Sequence, residues 1–157
     1  MISNMKLPFE TVTLCAEETE ALGRELANAI ENDSSLPKFI AMYGDLGVGK
    51  TAFVRGLCSK LCPRSIVKSP TFALVNEYRC DNAMCGIKKV CHFDMYRVND
   101  EDDLYSIGFY DYLRDDCLCV AEWCEMIPYA LPDDYVKVSI DKVDTDCKRR
   151  IAICLEA

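Results

Sequence analysis

The residues most able to do chemistry are the eight from Gly44 to Thr51, Gly-Asp-Leu-Gly-Val-Gly-Lys-Thr. They satisfy G-x-x-x-x-G-K-[ST] through Gly44, Gly49, Lys50 and Thr51, with an additional glycine at Gly47. Glycines let successive backbone N–H groups turn inward and approach phosphates without a Cβ clash. A helix that follows directs its positive N-terminal end at the anion. In that arrangement Lys50 bridges the β- and γ-phosphates and the Thr51 hydroxyl ligates Mg²⁺. A purely structural glycine turn has no need of Lys-Thr after its last glycine.

A magnesium-dependent phosphoryl site also requires an acid at the end of a neighbouring strand. Asp94 follows Val90-Cys91-His92-Phe93, and Glu122 follows Leu118-Cys119-Val120-Ala121. Either could be a plain strand-end carboxylate, and the loop is what makes them candidates for metal or water. Asp115, Asp116 and residues 100–103 read as solvated surface. His92, the only histidine, reads as a partly buried imidazole beside a sheet rather than a catalytic base. Trp123, the only tryptophan, reads as a core residue, a lid over nucleotide or a partner contact. Arg55 and Arg97 are the arginines available to the site, and surface placement is expected for both.

These residues must be held by strands and helices whose patterns are visible. Phe39 to Tyr43 is a short apolar run of the kind that forms a buried parallel strand, and it leads straight into the glycine loop. Thr51 to Leu61 reads as the helix that leaves the loop, stopping before Pro63. Phe9 to Leu14 suggests an opening strand. Glu17 to Ile30 carries Ala21, Leu22, Leu26, Ala29 and Ile30 at helical spacing, ended by Asn32 to Ser35. Phe72 to Tyr78 and Val90 to Phe93 are extended partners, joined by a connection from Arg79 to Lys89. Asp100 to Tyr112 reads as helical pieces broken at Gly108, and Leu118 to Ala121 as another buried strand. Tyr135 to Ile140 and Arg150 to Leu155 alternate, as antiparallel strands with one exposed face do. The order predicts an α/β fold: a P-loop NTPase-like three-layer sandwich around a mixed, largely parallel sheet with antiparallel strands.

With 157 residues the chain is expected to form a single domain over 1–157. Half of it is hydrophobic and 28% is charged, a globular composition. The net charge of −8 argues against a stand-alone nucleic-acid binder. Eleven cysteines without an apolar export segment near the start imply reduced thiols in a cytoplasmic protein. Neither Cys80, Cys85, Cys91 and His92 nor Cys117, Cys119 and Cys124 has paired zinc-knuckle spacing. No run approaches membrane-spanning length.

Beyond the loop, four blocks stand in order: GDLGVGKT at 44–51, VKSPTFALVNEY at 67–78, HFDMYRV at 92–98 and AEW at 121–123, with a weaker RRIAI at 149–153. In these the sequence resembles the TsaE (YjeE) family, P-loop ATPases of tRNA threonylcarbamoyladenosine formation. Departures are small: Ala73 and Ala121 stand where Thr and Val are common. The resemblance implies ATP and Mg²⁺ as ligands. It implies phosphate and nucleotide contacts from Gly44, Asp45, Gly47, Val48, Gly49, Lys50, Thr51 and Ala52, joined by Thr71, Trp123 and Arg149. It implies catalytic roles for Lys50, Asp94 and Glu122, with Thr51, Glu122 and Asp94 at the metal. Ser69, Pro70 and Thr71 resemble a segment that senses the γ-phosphate. The partners implied are TsaD and TsaB, which modify the adenosine next to the anticodon in tRNAs reading codons that begin with adenine. The tRNA would be reached through that complex, with no membrane or DNA involved. The implied activity is a weak, partner-dependent Mg²⁺-ATPase. A small-molecule kinase is the alternative, although the acidic stretch 100–116 with its single arginine, Arg114, makes a poor lid.

Overall fold

The computed structural model describes residues 5–157 apart from Leu46, residues 71–73 and residues 81–85. Its framework is one seven-stranded sheet in the order β1-β7-β6-β2-β5-β4-β3. The strands are β1 (Phe9–Thr13), β2 (Phe39–Tyr43), β3 (Val75–Arg79), β4 (Lys89–Asp94), β5 (Cys117–Glu122), β6 (Tyr135–Val143) and β7 (Thr145–Glu156). The helices are α1 (Ala16–Asn32), α2 (Lys50–Leu61) and α3 (Glu101–Ser106). The parallel character belongs to the middle, where β6, β2, β5 and β4 run side by side. The outer pairings β1–β7, β7–β6 and β3–β4 are antiparallel.

Burial follows this topology. Every residue of β5 is buried, and β2 is buried up to Tyr43. Both are central parallel strands covered on two faces, so their sequences are continuously apolar until the acid that ends β5. Strand β1 lies at an edge and alternates. Helices α1 and α2 cover one face. Leu22, Leu26, Ile30, Phe53 and Leu57 pack there with Ile40, Met42, Val90, Leu118 and Val120 of the strands. The other face is covered by α3, two short 3₁₀ turns and their loops. Phe93 and Phe109 meet there edge to face, their centroids 5.3 Å apart. The pieces expected around Gly108 appear as α3 and a 3₁₀ turn at Phe109–Tyr112, with Gly108 left-handed at φ 70°.

The expected start of β3 shifts. The strand expected from Phe72 begins at Val75, after Leu74 with its positive φ of 65°. Phe72 and Ala73 lie outside the described residues, as does much of the connection expected between Arg79 and Lys89. His92 is fully buried rather than partly so. Cys91, Cys117 and Cys119 are buried strand residues, and every described cysteine is a free thiol. No described helix is long and apolar enough to cross a membrane.

Candidate nucleotide site

Strand β2 delivers the glycine loop to the edge of the sheet where the parallel strands end, which is where ligands sit on open α/β sheets. Gly44 has φ 148°, and a Cβ there would lie 2.5 Å from the Ile140 carbonyl oxygen. Conformation and close approach to β6 therefore both exclude a side chain. Gly47 and Gly49 are also left-handed, at φ 75° and 112°. Gly49 caps α2 without a side-chain hydrogen bond, and the first turn of α2 has no acid. Helix α3 differs: the Asp100 side chain accepts from the Asp103 N–H, and its first turn is acidic. The N-terminal amides of α2 are thus left without a side-chain anion of their own.

Lys50 is the first residue of α2 and is only 5% exposed. Its Nζ donates to the Gly44 carbonyl at 2.5 Å and lies 4.1 Å from the centroid of the Trp123 ring. Desolvation pulls the Lys50 ammonium below its ordinary pKa, opposed by Glu122, Glu125, Asp94 and Asp45.

The acids end adjacent parallel strands in register, Asp94 of β4 opposite Glu122 of β5. Both are buried. Asp94 Oδ1 accepts from the Tyr96 N–H at 3.0 Å. Glu122 Oε2 lies 2.5 Å from His92 Nε2. His92 Nδ1 has no hydrogen-bond partner among the described residues.

These groups line one cavity of about 500 Å³. Gly47, Gly49, Lys50 and Thr51 line it together with the buried Asp94 and Glu122. Ser69, Tyr96, Arg97 and Trp123 complete the lining. A hydroxyl and two carboxylates are hard oxygen donors, suited to Mg²⁺. Among the described residues no group of three or more His, Cys, Asp or Glu could hold a metal. Mg²⁺ keeps several waters and takes one or two carboxylates plus substrate phosphates. A second cavity of about 370 Å³ adjoins the loop and shares Gly47 and Gly49. The β1–α1 junction walls it through Leu14, Cys15, Ala16 and Thr19, and Val48, Ala52, Cys147 and Arg149 face it from the other side.

Residues 14–151 match the family model described as threonylcarbamoyl adenosine biosynthesis protein TsaE. The chain belongs to the TsaE family. A Haemophilus influenzae TsaE is 39% identical over 109 residues, which is 68% of this chain and 66% of that one. A Bacillus subtilis TsaE is 31% identical over 134 residues, 85% of this chain and 78% of that one. A Treponema pallidum TsaE is 30% identical over 142 residues, 90% of this chain and 97% of that one. The crystal structure of Bacillus subtilis YdiB superimposes with a TM-score of 0.67 at 25% identity, covering 96% of this chain and 87% of that one.

The TsaE-type blocks, dispersed in sequence, meet at the loop. Lys50, Thr51, Asp94, Glu122 and Trp123 line the first cavity. Val48, Ala52 and Arg149 line the second. Arg149 Nε donates to the Val48 carbonyl at 2.8 Å, so this arginine also braces the loop. Gly44 sits behind the cavities as the carbonyl that receives Lys50, and Asp45 is exposed beside them. Thr71 lies outside the described residues, whereas its neighbour Ser69 reaches the first cavity. Arg97 is exposed as expected yet also faces that cavity. Arg55 pairs with Glu20 at 2.8 Å, on the helices. Sequence reasoning missed Tyr96 and the wall from Leu14 to Thr19. Tyr96 stands in the HFDMYRV block and so had a signal. The wall had none, because tertiary contacts, the β1–β7 pairing and the packing of α1 on α2, bring it to the loop.

Proposed function

We propose that this chain binds ATP with Mg²⁺ in the first cavity and hydrolyses it slowly. Its turnover drives the TsaB–TsaD complex through the cycle that forms threonylcarbamoyladenosine on tRNA. The observation that carries this reading is the convergence of Lys50, Thr51, Asp94 and Glu122 on one cavity at the uncapped start of α2. The neighbouring cavity at the β1–α1 junction offers room for the base and ribose.

Each residue has a part in the displacement. Lys50 exchanges the Gly44 carbonyl for the β- and γ-phosphate oxygens, under the Trp123 ring. The amides at the start of α2 hold the phosphate chain in line for attack by water. Thr51 and Glu122 would hold Mg²⁺, which supplies neutralisation of phosphate charge. Asp94, its Oδ1 fixed by the Tyr96 N–H, would have its other oxygen free to act on the metal or on the attacking water. ATP rather than another nucleotide follows from the family. The chain works as one ATPase domain in the cytoplasm, and its acidity leaves the tRNA to its partners.

ATP hydrolysis measured with and without TsaB and TsaD tests this. Turnover is expected to be slow alone and faster with both partners. Turnover indifferent to the partners would remove the gating, and wild-type turnover by Lys50→Ala would remove the site.

A further inference from the structure

His92 lies beneath Asp94 and Glu122 on the face of the sheet covered by α1 and α2. Alternation along β4 and β5 places it in the layer of Val90, Leu118 and Val120, all fully buried. An aliphatic residue would suit that layer, and a buried imidazole needs hydrogen bonds to be tolerated there. Only one nitrogen is used. Nε2 meets Glu122 Oε2 at 2.5 Å, and Nδ1 has no partner among the described residues. A ring retained for its own satisfaction would engage both nitrogens. This one is placed for Glu122.

We infer that His92 is a positioning residue: its Nε2–H fixes one oxygen of the Glu122 carboxylate, so that Oε1 is presented to a divalent cation beside the nucleotide phosphates. The inference rests on the reading of Glu122 as the cation-facing acid. An ionised carboxylate only accepts hydrogen bonds, so the hydrogen between the two groups belongs to His92 Nε2. The rotamer of Glu122 would otherwise be free to turn, and a cation site is sensitive to the groups that orient its ligands. His92 itself lines neither cavity.

The test uses which nitrogen matters. A glutamine places its amide nitrogen near the position of histidine Nε2, and an asparagine places it near Nδ1. Mn²⁺ is titrated into the full chain with a non-hydrolysable ATP analogue, and free Mn²⁺ is followed by electron paramagnetic resonance. Nucleotide affinity in the presence of a chelator and thermal unfolding are measured in parallel. His92→Leu is expected to weaken Mn²⁺ binding roughly 10- to 100-fold and to leave metal-free nucleotide affinity unchanged. His92→Gln is expected to regain most of the loss and His92→Asn none. Glu122→Gln serves as the reference and should weaken Mn²⁺ as well. Wild-type Mn²⁺ affinity in the Leu and Asn variants, with the loss present in Glu122→Gln, overturns the inference alone. No loss in Glu122→Gln overturns the reading beneath it. Equal losses in the Gln and Asn variants also overturn the inference, because they assign the ring a packing role. If His92→Leu does not fold, the Gln and Asn pair still decides, since both carry the same amide and one methylene sets where it sits.

Discussion

Lys50 carries its charge where burial disfavours it. Desolvation draws its pKa down, and Glu122, Glu125, Asp94 and Asp45 draw it back. A bound triphosphate adds strong negative charge beside Nζ and raises the pKa further. Between the free and bound values the protein therefore takes up a proton on binding nucleotide, and affinity falls as pH rises through the free value. Calorimetric titration in buffers of different ionisation heat, at alkaline pH where the lowered Lys50 ammonium begins to lose its proton, is expected to register that uptake. Lys50→Arg should abolish it, because a guanidinium stays charged throughout. Persistent uptake in Lys50→Arg would assign the proton to another group. Lys50 was legible in the sequence because its chemistry depends on spacing within eight residues. The role of His92 was not. Its partner Glu122 is thirty residues away, and only the parallel pairing of β4 with β5 brings them together.

At the scale of elements, helix α2 is held by what two glycines omit. A Cβ on Gly23 of α1 would lie 2.2 Å from the Phe53 carbonyl oxygen, and a Cβ on Gly56 of α2 would lie 1.9 Å from that of Glu20. Backbone faces backbone there, so no side chain can yield. Gly→Ala inside a helix ordinarily gains about 1 kcal/mol of propensity. Here the overpacking, typically about 1–3 kcal/mol and occasionally more, opposes that gain and wins, because the clash is with carbonyls. Gly56→Ala should lower the midpoint of denaturant unfolding. It should also weaken nucleotide binding, since α2 carries Lys50 and Thr51 while the start of α1 walls the second cavity. Gly23→Ala should act likewise, and the double variant should be non-additive because both sites lie on one contact. A more stable Gly56→Ala protein would show that the helices separate freely. The helices themselves were legible from apolar spacing, as with Leu22, Leu26 and Ile30. Their contact was not, because a helical glycine reads locally as a weakness. The same limit applies to β1: its alternation marks a strand, but nothing in Phe9 to Thr13 names β7 as its neighbour.

The whole molecule is acidic, with a net charge of −8 and a pI near 4.7. Asp100, Glu101 and Asp102 are exposed at the start of α3, and Glu125 and Asp111 are exposed as well. A tRNA is a dense array of phosphates, and proteins hold such arrays by displacing counterions with clustered lysine and arginine. The cationic run Lys148-Arg149-Arg150 does not form such a cluster. Arg149 is turned onto the Val48 carbonyl, and Arg150 lies 3.4 Å from Glu10. The chain alone is therefore expected to leave labelled tRNA unbound in fluorescence anisotropy at about 0.15 M salt. Dilution of the salt should not create binding, because weaker screening strengthens repulsion between like charges. With TsaB and TsaD present, tRNA should bind, and the acidic chain should join that assembly through protein contacts. Binding of tRNA by the chain alone that strengthens steeply as salt is lowered would mean that a basic face forms after all, and that the proposed division of labour between this chain and TsaB and TsaD is wrong.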